Sequence, residues 1–179
     1  LERVADWFIE TEAERRAQAT PARFEEKGRA EIPELGFALS AKADRLDLDA
    51  HGRMYIYDYK TGTPPTAKEQ KSFDKQLLLE AAMAERGGFG DIGPVPVMRA
   101  AFIGLGSTPK EVAAPLDEEP PDQVWSEFKE LISAYSVPHK GYVARRAMHS
   151  SEDRSDYDQL ARFGEWDVTD PPDESEVGQ

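Results

Sequence analysis

The stretch that most constrains this chain runs Asp47-Leu48-Asp49-Ala50-His51-Gly52-Arg53-Met54-Tyr55-Ile56-Tyr57-Asp58-Tyr59-Lys60. Residues 53–60 alternate as a strand does, with Tyr55, Tyr57 and Tyr59 on one face and Met54, Ile56, Asp58 and Lys60 on the other. Phe37 to Leu48 reads as a second strand, and Ala50-His51-Gly52 as a three-residue hairpin loop with Gly52 in the left-handed position. That loop implies a register. If Asp49 faces Arg53, then Leu48 faces Met54, Leu46 faces Ile56 and Asp44 faces Asp58. Directly opposed Cβ atoms lie about 4.5–5.5 Å apart, and like charges there are destabilising. Two carboxylates at the end of an apolar stripe need relief, most simply from a divalent cation. A slip of one residue would undo the pairing.

The remaining elements follow from periodicity and breakers. Val4, Trp7 and Phe8 predict a helix reaching about Arg16; Thr20-Pro21 ends it, and Pro33 bounds any helix in between. Thr61–Pro65 is a turn. Thr66 and Glu69 then have capping-box spacing for a helix to about Arg86, stopped by Gly87-Gly88. Phe73, Leu77, Ala81 and Ala84 line one side of it, with Gln76 and Glu80 at the edge. A strand is predicted from about Val97 to Leu105, and the acidic, proline-rich 111–121 reads as a linker. Val124, Phe128, Leu131, Ile132 and Tyr135 mark a last helix, with Trp125, Phe128 and Tyr135 expected in the core. The fold class is therefore α/β: a mixed central sheet flanked by helices over 67–86 and 122–136. The core spans about 35–136, with an irregular extension over 137–166 and an acidic, disordered tail over 167–179.

Composition narrows the chemistry. With no cysteine, disulfides, thiolate zinc sites, iron–sulfur clusters and cysteine nucleophiles are all excluded. Three histidines leave any metal site to be built mainly from carboxylates. The net charge of −13 argues against coating nucleic acid by bulk electrostatics. Its excess is local, however: residues 35–110 carry 10 basic and 9 acidic side chains, residues 111–137 carry 1 and 7, and residues 167–179 carry 0 and 5. No apolar run approaches the ~18 residues of a membrane span. The opening LERVADWFIE has no Met and no signal pattern, so we expect a piece of a longer cytoplasmic protein.

Asp44, Asp58 and Lys60 carry the chemistry. Asp58 and Lys60, two apart, share a strand face. A hard cation such as Mg²⁺ takes oxygen ligands and keeps several waters, so two carboxylates suffice to anchor it. A neighbouring lysine can steer a water and offset negative charge growing on a phosphate. Together they suit metal-assisted phosphodiester hydrolysis. An Asp-x-Lys pair is also what an ordinary solvated strand carries. Two features favour the chemical reading: the pair closes the apolar face of Met54 and Ile56, and the loop length alone brings Asp44 opposite. His51 reads as a turn residue, and His139 and His149 as surface residues. Arg145, Arg146 and Tyr142 form a basic–aromatic cluster suited either to gripping a strand or to packing.

ADRLDLDAHGRMYIYDYKTG and the following helix with Gln76 resemble the RecB-type PD-(D/E)XK nuclease superfamily. The wording is closest to the C-terminal nuclease domains of the AddB family, subunits of bacterial AddAB helicase–nucleases that process double-strand breaks. KGYVARRA (140–147) and SDYDQLARFGEW (155–166) resemble the segment that closes such chains, so the resemblance spans about 1–166. It implies Asp44 and Asp58 as metal-ligating acids, Lys60 as the catalytic lysine and the Tyr59 carbonyl as a further ligand. Gln76 would support the lysine or contact DNA; Arg45 and Asp47, on the alternate face, would be structural. It also implies Mg²⁺, with Mn²⁺ as a substitute, DNA and an AddA-type helicase as partners, and a bacterial, nucleoid-associated location; the iron–sulfur cluster of some such chains is excluded here by the lack of cysteine. The chain departs from the pattern in three places: Ala41 replaces a common glycine, Glu80 stands where many relatives have tyrosine, and residues 1–36 lack the histidine that adds a metal ligand. We expect that histidine's helix upstream of Leu1, with Glu12 or Glu14 as substitutes only if they are not solvated helix-face residues. Two further readings stay open: a non-catalytic scaffold holding DNA or a partner subunit, and a structure-specific or restriction-like endonuclease.

Overall fold

A computed structural model describes residues 2–141. The chain divides into two compact units, residues 1–130 and 131–179, and the sheet and every site residue lie in the first. Helix α1 (Glu2–Gln18) leads into β1 (Thr20–Ile32), a 3₁₀ turn (Pro33–Leu35), β2 (Phe37–Leu48) and β3 (Met54–Lys60). After α2 (Ala67–Ser72) and α3 (Gln76–Ala84) come β4 (Val97–Gly104), β5 (Lys110–Ala113) and α4 (Pro121–Tyr135). The five strands stand in chain order in one mixed sheet: β4 runs parallel to β3, and every other pairing is antiparallel. The α/β class with a mixed sheet flanked by helices is thus the fold observed.

The hairpin has the expected register, with Leu48 opposite Met54, Leu46 opposite Ile56 and Arg45 opposite Tyr57. Gly52 has φ 74°, and the Asp49 carboxylate accepts the N–H groups of His51 and Arg53, so His51 is a turn residue. Alternation then divides the core. Leu46, Met54, Ile56 and Phe102 pack with Leu77, Leu78 and Ala81 of α3 and with Val124 and Trp125 of α4. On the other face Tyr57, Ala101 and Ile103 pack with Trp7 and Phe8 of α1 and with Tyr55 and Tyr59. Burying an aliphatic or aromatic side chain stabilises by roughly 1.5–3 kcal/mol, so both layers contribute.

Four expectations are corrected. The segment bounded by Thr20-Pro21 and Pro33 is no helix but the long strand β1. Among the described residues its outer side carries only an isolated bridge, Gly28 to Phe89, so Pro21 and many charged residues are tolerated there and the apolar alternation is confined to Ala30 and Ile32. The stretch read as a linker begins inside β5, a four-residue edge strand too short and too charged to show a period. The single helix to Arg86 is two helices. Its capping box forms as expected, but α2 stops at Ser72, and the Asp74 carboxylate accepts the Gln76 N–H as the chain restarts. Phe73 is consequently not part of the buried stripe and is half exposed. The Arg145–Arg146–Tyr142 cluster, His149 and the 155–166 motif lie outside the described residues; His139 is exposed.

Candidate active site

The hairpin ladder ends at Arg45–Tyr57, one step short of the expected Asp44–Asp58 pair. Asp44 uses its side chain instead: Oδ2 accepts the Tyr59 N–H at 2.9 Å, tying the interior of β2 to the end of β3. Asp58 is only 5% exposed, and beside it β4 brings Phe102 into register. Lys60 emerges on the same face, with Nζ 2.9 Å from Asp58 Oδ2 and 5.1 Å from the Phe102 ring centre.

Gln76 joins these groups. As the first residue of α3, it donates through Nε2 to Asp58 Oδ1 at 2.6 Å and accepts through Oε1 from Lys60 Nζ at 3.1 Å. The break after α2 makes this reach feasible by giving α3 its own start against the ends of β3 and β4. Asp58, Lys60 and Gln76 are therefore brought into one hydrogen-bonded set, with Asp44 attached through the Tyr59 backbone.

The structure adds Glu80, one turn along α3. Its Oε1 accepts from the same Gln76 Nε2 at 3.2 Å, and the residue is 3% exposed. Burial pushes the Glu80 carboxyl up to about 7; the Gln76 hydrogen bond opposes this, and the nearby Asp58 and Asp44 charges add to it. A signal for it was present in the sequence: a lone acid in the otherwise apolar run Leu77-Leu78-Leu79-Glu80-Ala81-Ala82.

The other face of the hairpin is structural. Arg45 grips Asp47 with two bonds, 2.7 Å to Oδ1 and 2.6 Å to Oδ2, and also reaches Glu12 at 2.7 Å and the Tyr59 hydroxyl at 3.2 Å. Glu12 takes further bonds from Arg15 and Arg16. Burial acts to raise its pKa, but the hydrogen bonds from Arg45, Arg16 and Arg15 prevail and bring it to about 2. Glu12 is thus neither a solvated residue nor a neighbour of Asp58, because the sheet lies between them. Glu14 is exposed on that far side, where it lines a cavity of about 480 Å³ with Trp7, Arg15, Tyr57 and Lys110. Neither acid replaces a histidine ligand.

Helix, three antiparallel strands, helices and a parallel fourth strand, with Asp44 inside β2 bonded to the end of β3 that carries Asp58 and Lys60, make a fold of the restriction-endonuclease-like class. The chain belongs to the PD-(D/E)XK nuclease superfamily, which it matches over residues 1–164. An uncharacterized protein of Rickettsia felis is 32% identical over 108 residues, covering 57% of this chain and 13% of that protein. A second, from Rickettsia conorii, is 35% identical over 85 residues, covering 46% of this chain and 10% of its own length. The chain thus spans only a small part of the curated relatives it matches.

The donors at this site suit a hard divalent cation: oxygen only, anionic, and beside the ammonium of Lys60. Among the described residues no three acids or histidines converge closely enough to enclose an ion by themselves. Such a site suits Mg²⁺, which retains waters. No cysteine is present for an iron–sulfur cluster, and no helix among the described residues is long and apolar enough to cross a membrane.

Proposed function

We propose that this chain is the DNA-cleaving domain of an AddB-type helicase–nuclease, hydrolysing phosphodiester bonds of a strand threaded from a broken end, with Mg²⁺ or Mn²⁺ as cofactor and an AddA-type helicase as partner. The observation that carries the catalytic part is Gln76, which ties Asp58 to Lys60 within hydrogen-bond distance of both. The wording of 140–147 and 155–166, and the much greater length of the relatives, support a domain of a large repair protein in the bacterial cytoplasm.

Asp44, Asp58 and the Tyr59 carbonyl would hold the cation, which when bound supplies Lewis acidity toward the phosphate and the attacking water. Lys60 directs its ammonium group toward the phosphate oxygens, where negative charge builds up. Gln76 keeps Nζ from swinging free and orients the Asp58 carboxylate. Asp44 fixes the end of β3 and hence the position of the Tyr59 carbonyl. The test is degradation of end-labelled linear single-stranded DNA with Mg²⁺ or Mn²⁺. Lys60→Ala should lower the rate by about 10²–10³-fold with the fold retained, and Asp58→Ala should abolish activity.

One observation favours a non-catalytic scaffold: Glu12 and Glu14 lie on the far side of the sheet, leaving the site with few direct ligands among the described residues. If the parent chain, also when extended upstream, cuts no faster than Lys60→Ala, the scaffold reading stands. A single defined cut on a duplex would instead indicate a structure-specific or restriction-like enzyme.

A further inference from the structure

A buried carboxylate needs partners, and Glu80 is short of them. Oε1 has one amide donor, Gln76 Nε2, shared with Asp58 Oδ1. Oε2 is buried and has no hydrogen-bond partner among the described residues. Among the described residues no cationic side chain bonds to it: Lys60 is committed to Asp58 and Gln76. Leaving an acceptor unsatisfied costs about 1–3 kcal/mol, and more when it is charged. An apolar residue at this position of α3 would avoid that cost.

The groups around Glu80 suggest what relieves it. Asp58 shares its amide donor, and the charges of Asp58 and Asp44 both bear on it. Beside these three acids stand the ammonium of Lys60, bonded to Asp58, and that of Lys42, which bears on Asp44 but is bonded to Glu25, so negative charge remains in excess, and a divalent cation would offset it. Because no three acids among the described residues converge tightly enough to enclose an ion, Glu80 acts from outside the direct ligand pair.

We propose that Glu80 is a positioning acid of the cation site: a carboxylate held by Gln76 whose free oxygen and negative charge strengthen the hold of Asp44 and Asp58 on a divalent cation. The inference rests on the cation site proposed above. Groups that support metal ligands in this way typically alter affinity about 10–100-fold when replaced.

The test is Mn²⁺ binding to the 179-residue chain by calorimetry, without DNA, for the parent, Glu80→Gln, Glu80→Asp and Asp58→Asn, with urea denaturation of each metal-free protein. Glu80→Gln preserves the shape and one hydrogen-bonding oxygen while removing the charge. We expect it to raise the Mn²⁺ Kd at least about tenfold with no loss of metal-free stability, and Glu80→Asp to recover part of the affinity. An unchanged Kd in Glu80→Gln, with binding lost in Asp58→Asn, would overturn the role of Glu80 and leave the cation site standing. Absence of Mn²⁺ binding in the parent would overturn both.

Discussion

Replacing Arg45 with methionine removes the one cation that serves the deepest charge in the hairpin. The Asp47 side chain is 0% exposed and the Arg45 side chain 3%, and both Asp47 oxygens are bonded by that guanidinium. Glu12 loses one of three arginine partners and the Tyr59 hydroxyl loses its contact, but neither is left alone with a buried charge. The dominant effect is thus a buried, unpaired carboxylate, and removing one partner of such a pair costs about 3–5 kcal/mol. For a domain stable by about 5–15 kcal/mol this is a large fraction. Urea denaturation should show a lower midpoint with an unchanged slope, because the surface exposed on unfolding is nearly the same. Arg45→Met combined with Asp47→Leu removes the stranded charge and should recover most of the loss, giving strong non-additivity in the double-mutant cycle. A loss below about 1 kcal/mol for Arg45→Met, or additive effects in the double variant, would refute the reasoning.

Glu12 sets an acid limb of stability. Its carboxyl holds a proton less tightly folded, at about 2, than its ordinary 4.5, so its contribution is complete above 4.5 and lost as pH falls toward 2. The gap corresponds to at most about 3 kcal/mol, reduced by solvent screening to about 1–2 kcal/mol. Glu12→Gln should therefore lower stability at pH 7 by that amount and flatten the curve between pH 4.5 and 2; parallel curves for the two proteins would count against it. Gln76→Ala releases Lys60 and leaves Asp58 and Glu80 without their shared donor. Single-stranded DNA degradation should slow by about 10–100-fold while denaturation shifts by only about 1–2 kcal/mol, a split that initial rates and urea curves measure together.

Much of the architecture is local and so readable in advance. The alternation of 53–60 and the Ala50-His51-Gly52 loop determine both strands and their register, because strand side chains repeat every second residue and a short loop leaves little freedom in pairing. The capping box of Thr66 and Glu69 and the stop at Gly87 are likewise local devices. Strand β1 was illegible because an edge strand half in water needs little apolar pattern, and β5 because four residues carry no period. The break at Phe73–Lys75 was hidden by a helical stripe that continues through it; its cause is where α3 must start to meet the sheet.

By itself the sequence determined the hairpin, the shared face of Asp58 and Lys60, and the nearness of Asp44, since these follow from backbone periodicity over a few residues. Tertiary structure alone decided that Gln76 spans Asp58 and Lys60, that Glu80 is buried behind them, and that Glu12 faces Arg45 rather than the acids. Those contacts join residues far apart in the chain, and which of them meet depends on how helices seat on a twisted sheet, a property of packing that no local spacing encodes.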